Sequence, residues 1–210
     1  MSAMTTFPER PYPSIAEFFD AYSLRLAAAA ATVGRDRLAA AEALLGDAIA
    51  RDAHVYSCGN GGSAAIANHL VCDHARGVAA DTGLARRVHS LAATVEMLTA
   101  IANDVEYAEV FVAQLRLFAR PGDVLVTISS SGDSENVVRA AAWARANDVR
   151  SIALTGFGGG RTAGLADVNL HVESDNYGVV EDIHQSLMHV LAQYLRMARM
   201  PAGLVAERKF

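Results

Sequence analysis

Two stretches of the chain repeat one pattern: an apolar run of strand length, a turn rich in glycine or serine, and a helical segment. HVYSC (54–58) runs into GNGGS and a helix to about Ala75, and DVLVTIS (123–129) runs into SSGDS and the helix ENVVRAAAWARAND. Short apolar runs bounded by such turns and followed by helices predict a parallel sheet, because each parallel crossover needs a connecting helix. Further strands are expected at RVHSL (87–91), RSIALTG (150–156) and DVNLHV (167–172). Helical segments are expected at about 93–102 and 106–118, with a last helix from about Val179 to Met200. Ahead of the sheet, residues 14–33 and 35–51 read as two antiparallel helices rich in Ala and Leu, the first capped by Ser14. The expected fold is α/β: a three-layer sandwich with a central parallel sheet flanked by helices, flavodoxin-like, led by two N-terminal helices. Residues 1–210 are expected to form one domain, with the leading helices at about 14–51 and the α/β core at about 53–200.

The composition narrows the partner. A net charge of -5 and no clustered basic face argue against nucleic acid. Hydrophobic residues make up 52%, but much of that is Ala, and no apolar run approaches the ~20 residues of a membrane span. The N-terminal MSAMTTFPERPYPS lacks the basic segment and apolar core of a secretion signal, and Cys58 and Cys72 make no disulfide framework. A cytoplasmic protein with reduced thiols and a small-molecule or protein partner is expected. Helices apolar on more than one side point to subunits that cover one another.

Both glycine/serine loops fall where strands of a parallel sheet hand over to helices, the place where ligands collect. Helix N-termini offer free N–H groups and partial positive charge to an anion. Gly61 and Gly62 allow close backbone approach, while Asn60, Ser63, Ser129, Ser130, Ser131 and Ser134 add polar side chains. The plainer alternative is that these residues only build turns and caps. Neither loop has the spacing of a Walker motif or a dinucleotide fingerprint, so a phosphorylated metabolite is favoured over a nucleotide. Asp133 and Glu135 place negative charge beside the second loop, as caps or solvent-facing groups.

Behind the loops, His69 and Asp73 share a helix face at i and i+4. Glu181, Gln185 and His189 stack at i, i+4 and i+8 on the last helix, with His184 beside the stripe. Two histidines and two carboxylates on two helices suit a divalent-metal site, zinc first, or an acid and base for proton transfer next to a carbonyl. The ordinary alternative for His69 and Asp73 is a surface pair worth about 0.2–0.5 kcal/mol. His54 and His74 read as structural or exposed, and His171 as an edge residue.

In order, GNGGSA…H…D, ISSSGDSENV, ALTG…GG…AGLADVNLHV and EDIHQSLMH resemble the sugar isomerase (SIS) domain family, over about residues 15–200. More narrowly they are similar to its phosphoheptose isomerase subgroup. The resemblance implies an aldose–ketose isomerase acting on a phosphorylated sugar. The expected substrate is sedoheptulose 7-phosphate, converted to D-glycero-D-manno-heptose 7-phosphate by metal-assisted proton transfer through an enediol(ate). It assigns the phosphate to the Asn60–Ser63 and Ser129–Ser134 loops, and one zinc per subunit to His69, Asp73, Glu181 and His189. Asp73 or Glu181, with His189, would be the acid–base set, in a homotetramer with sites between subunits. This chain has Asp73 where the family has Glu, Glu181 where it has Gln, and Asp133 where Asn is usual. The rival readings are a non-catalytic SIS protein that binds sugar phosphate or a replication initiator partner, and an isomerase for a different ketose phosphate.

Overall fold

The computed structural model describes residues 6–84 and 87–210; the first five residues of the stretch read for a secretion signal lie outside them. All five expected strands form: β1 (His54–Gly59), β2 (Arg87–Ser90), β3 (Val124–Ser129), β4 (Arg150–Thr155) and β5 (Val168–His171). They pair in parallel in the order β2-β1-β3-β4-β5. That is the flavodoxin-like order, whose switch point lies between β1 and β3. The register sets Gly59 opposite Ile128, so the loops after β1 and β3 leave the sheet side by side.

Alternation along the strands builds two cores. Val55, Val124, Val126, Ile128, Ile152, Leu154, Val168 and Leu170 face one side, and Tyr56, Cys58, Leu125 and Leu91 the other. The first face is covered by α1 (Ile15–Thr32), α2 (Arg35–Ala50), α3 (Gly62–Val71) and α8 (Tyr177–Met197). The second is covered by α5 (Val112–Phe118) and α6 (Glu135–Ala146), with α4 (Val95–Asp104) packed at its margin. A short α7 (Gly160–Leu165) lies against β4 and α6. Full burial of β3 on both faces matches its unbroken apolar sequence.

Ser14 caps α1 as expected, its hydroxyl accepting from Glu17 N–H at 3.2 Å. Both leading helices form where expected; α1 packs mainly on α8, and α2 on β5 and α8. Their alanines let backbones approach that long helix instead of each other. The segment expected as a helix over 106–118 is broken into a 3-10 turn, Tyr107–Glu109, and α5. The first half of the α3 pattern is α-helical, but Cys72–Gly77 winds as a π-helix, one residue wider per turn. No described helix is long and apolar enough to cross a membrane.

His184 of α8 is fully buried, and burial pushes its imidazole down to about 4 from an ordinary 6.5. A group lowered on folding stabilises the fold fully above its unfolded value and loses that contribution as pH falls through its folded value. Urea denaturation stepped from pH 6.5 to 4 should therefore show a steeper loss of stability in the wild type than in His184→Leu; parallel losses would contradict this account.

Candidate active site

The site lies at the carboxyl end of the sheet, at the switch point. Asn60, Ser63, Ser129, Ser130, Ser131 and Ser134 line one cavity of about 150 Å³, together with Ile128, Tyr177 and Glu181. Gly61 precedes α3 at φ +53, and Gly62 is its first residue. Gly132 holds the second loop at φ +65, where a Cβ would collide with the Gly159 carbonyl, so only glycine fits. Thr162 of α7 fastens this turn, its N–H and hydroxyl both donating to Gly132 O, at 3.0 and 2.9 Å.

The serines are set to donate. Ser129 Oγ accepts from Gly132 N–H at 3.1 Å and Ser131 Oγ from Asp133 N–H at 3.2 Å, which leaves each hydroxyl proton free to point elsewhere. Ser130 Oγ is buried with no partner within the described residues, and Ser134 makes no side-chain cap to α6. A buried hydroxyl without a partner is costly, and an anion acceptor in the cavity would satisfy it.

Asp133 and Glu135, expected as caps or solvent-facing groups, are exposed and are also paired by arginines distant in sequence. Arg161 pairs with both, and Arg139 pairs with Glu135, Glu106 and Glu109. Those guanidiniums hold the Asp133 and Glu135 carboxyls below their ordinary range. Asn60 is also braced: it exchanges amide hydrogen bonds with the buried Asn136 at 2.9 Å each way, and Tyr107 O–H donates to its Oδ1 at 2.8 Å. Asn136 and Tyr107 escaped sequence reasoning; the only signal for Asn136 is its place at the start of the helix after SSSGDS.

Beyond the cavity, α3 and α8 bring three of the four expected chemical residues together. His69 Nε2 lies 3.3 Å from Asp73 Oδ1, and His189 Nε2 lies 3.4 Å from Asp73 Oδ2. The two imidazoles meet edge to face at 5.0 Å. His69, Asp73 and His189 each offer a ligand atom within 4.8 Å of the others. Two imidazoles and a carboxylate, half open to solvent, are the donor set of a catalytic zinc. The residues fit that metal.

Glu181 is the exception. The structure does not bring it into this cluster; its carboxylate rests against the α-carbon of Gly62 and lines the serine cavity. It stands near the start of α8, and His189 stands eight residues further along that helix. Gln185, one turn from His189, sits by the cluster instead. Its Nε2 lies 3.1 Å from His69 Nδ1 and 2.9 Å from His189 Nε2. Burial, and then the neighbouring Asp182 charge, raise the Glu181 carboxyl above its ordinary range. Asp182 itself faces α1, where Tyr22 O–H donates to it at 2.6 Å.

The remaining histidines lie apart. His74 is buried with Nε2 3.2 Å from Met188 O, a tie between the π-helical segment after α3 and α8. His171 Nδ1 is 3.0 Å from Thr155 Oγ1, and His54 stacks on His89 at 5.1 Å.

Comparison with known proteins gives the family. The SIS domain profile matches residues 17–156. The phosphoheptose isomerase of Colwellia psychrerythraea is 38% identical over 152 residues, 71% of this chain and 77% of that protein. The phosphoheptose isomerase of Alteromonas mediterranea is 33% identical over 183 residues, 86% of this chain and 92% of that protein. The phosphoheptose isomerase structure from Neisseria gonorrhoeae superposes with a TM-score of 0.76 at 34% identity, covering 86% of this chain and 96% of that one.

Proposed function

Since this chain belongs to the SIS domain family and falls among its phosphoheptose isomerases, we propose that it interconverts sedoheptulose 7-phosphate and D-glycero-D-manno-heptose 7-phosphate. The observation that carries the reading is the junction of two features at one sheet end: a serine-lined cavity with an unpartnered buried hydroxyl, and a His–Asp–His cluster beside it. The cavity takes the phosphate. Holding that end fixes the reacting carbons against the cluster, which is how remote binding contributes to rate.

Asp73 is the carboxylate best placed to take the proton from C1 of the ketose, and His189, 3.4 Å from it, moves the proton between O1 and O2. The enediolate then collects a proton at C2, leaving the aldehyde at C1. Of the two carboxylates weighed from sequence, Asp73 is favoured because Glu181 lies on the phosphate side. His69, Asp73 and His189 would hold one zinc per subunit, which polarises the carbonyl and hydroxyl oxygens when bound.

Exposed apolar side chains support a homotetramer with sites at subunit boundaries. Ile15, Phe19 and Leu24 of α1 are 82%, 66% and 74% exposed, and Val190, Tyr194 and Met197 continue the apolar surface on α8. The shared core of α1, α2 and the sheet supports one domain over residues 1–210. Two free thiols, Cys58 and Cys72, support a cytoplasmic setting.

Incubation with sedoheptulose 7-phosphate and a panel of shorter ketose phosphates, followed by NMR, should show turnover of the heptose. His189→Ala should lower its rate by about 10²–10⁴-fold with an unchanged circular dichroism spectrum. Near-normal turnover in that variant, or preference for a pentose or hexose, would refute the assignment. Light scattering should give the mass of four chains, and a monomer mass would contradict the assembly.

A further inference from the structure

The amide of Asn60 forms part of the wall of the serine cavity, and its two ends mean opposite things to an anion. The N–H groups attract it and the carbonyl oxygen repels it. We infer that Tyr107 and Asn136 are positioning residues that hold this amide with an N–H toward the cavity and so help to make it a phosphate site. This inference rests on reading the serine cavity as the place of the sugar phosphate.

Which end of an amide is oxygen follows from its hydrogen-bond partners. Here the orientation traces back to the main chain. At the start of α6 the Val137 N–H, shared with the Ser134 carbonyl at 3.0 Å, donates to Asn136 Oδ1 at 2.9 Å. A backbone N–H can only donate, so that end of Asn136 is the oxygen. The same oxygen lies 2.9 Å from Asn60, and the atom of Asn60 that faces it is therefore Nδ2. Asn136 Nδ2 in turn donates to Asn60 Oδ1, also at 2.9 Å. A tyrosine hydroxyl can give or take, but against an oxygen acceptor it gives, and Tyr107 O–H donates to Asn60 Oδ1 at 2.8 Å.

The count for Asn60 then closes. Its oxygen accepts two hydrogen bonds, and one proton of Nδ2 goes to Asn136. The second proton has no partner among the described residues, so the group that Asn60 has left for a ligand is an N–H. Turning the amide over would break both bonds to Asn136, setting oxygen against oxygen and N–H against N–H. Tyr107 is not part of the cavity wall, so the oxygen it holds is drawn out of the cavity.

Burial does not hold Tyr107, whose side chain is 60% exposed. Its 3-10 turn is pinned electrostatically instead: Glu106 and Glu109, on either side of it, both pair with Arg139 of α6, the second at 2.8 Å. Asn136 and Arg139 stand three residues apart on α6. One turn of that helix thus sets both the amide partner of Asn60 and the turn that brings the tyrosine hydroxyl to it.

The test reads phosphate binding without turnover. Phosphorus NMR titration of the full chain with inorganic phosphate gives the affinity of the wild type, Tyr107→Phe, Asn60→Ala and the double variant. Tyr107→Phe removes one oxygen from an exposed ring and should weaken phosphate about three- to tenfold, the range of one neutral hydrogen bond. In the Asn60→Ala background the same substitution should change affinity by less than about 1.5-fold, because the amide through which it acts is gone. Asn136→Ala should weaken phosphate at least as much as Tyr107→Phe and be equally silent without Asn60. Unchanged affinity in Tyr107→Phe overturns the inference, and so does an equal loss with and without Asn60. A wild type that binds no phosphate overturns it together with the phosphate reading of the cavity. Phosphate binding with the expected pattern but no turnover of sedoheptulose 7-phosphate supports it and overturns only the assigned reaction, so the two failures are distinguishable.

Discussion

The contact on which the site depends is the packing of α8 against α3. Neither helix carries a complete chemical group: α3 and its π-helical extension bring His69 and Asp73, and α8 brings Gln185 and His189. Their relative height is set by buried contacts beneath the site, where Ile66, Ala67 and Leu70 of α3 share a core with Val180, Ile183 and Leu187 of α8. His74 adds a directional tie to the Met188 carbonyl. A slip of one turn between the helices would move each donor by about 5.4 Å and dissolve the cluster. Packing of this density is bistable rather than elastic, so the register is either right or lost.

The sheet performs the matching task for the serine cavity. Because β1 and β3 are neighbours and parallel, two loops separated by about seventy residues in sequence open at the same edge. The serine hydroxyls there accept from their own loop backbone and so keep their protons for a ligand. The acidic residues at the rim do not oppose an anion, since Arg161 and Arg139 bind them first. The serine cavity and the His–Asp–His cluster are thus built by two loops and two helices that share α3.

Much of this was legible in the sequence, for physical reasons. Period-two and unbroken apolar runs located every strand, and the turn residues placed both loops at strand ends, because burial and backbone geometry act locally. The closeness of His69 to Asp73 was legible because helical spacing is visible in one dimension. Glu181 lines the serine cavity instead of the cluster, and the lateral position of the helix that puts it there is not visible in one dimension. Gln185 was seen in the stripe, but its contacts with both imidazoles were not legible, because an amide signals neither charge nor pKa. The partners of Asp133, Glu135 and Asn60 lie about thirty to seventy residues away, and no local pattern encodes such pairs. The packing partners of α1 and α2 were not legible for the same reason: their alanines say that something approaches closely but not which element.

We propose that this site moves a proton, not a hydride, between two carbons of a heptose phosphate. Turnover of sedoheptulose 7-phosphate in D₂O, followed by proton and carbon NMR of the aldose formed, tests it most directly. The account predicts deuterium at C2 of the product, delivered from solvent through the enediolate. Product that carries at C2 only protium moved from C1 would contradict it.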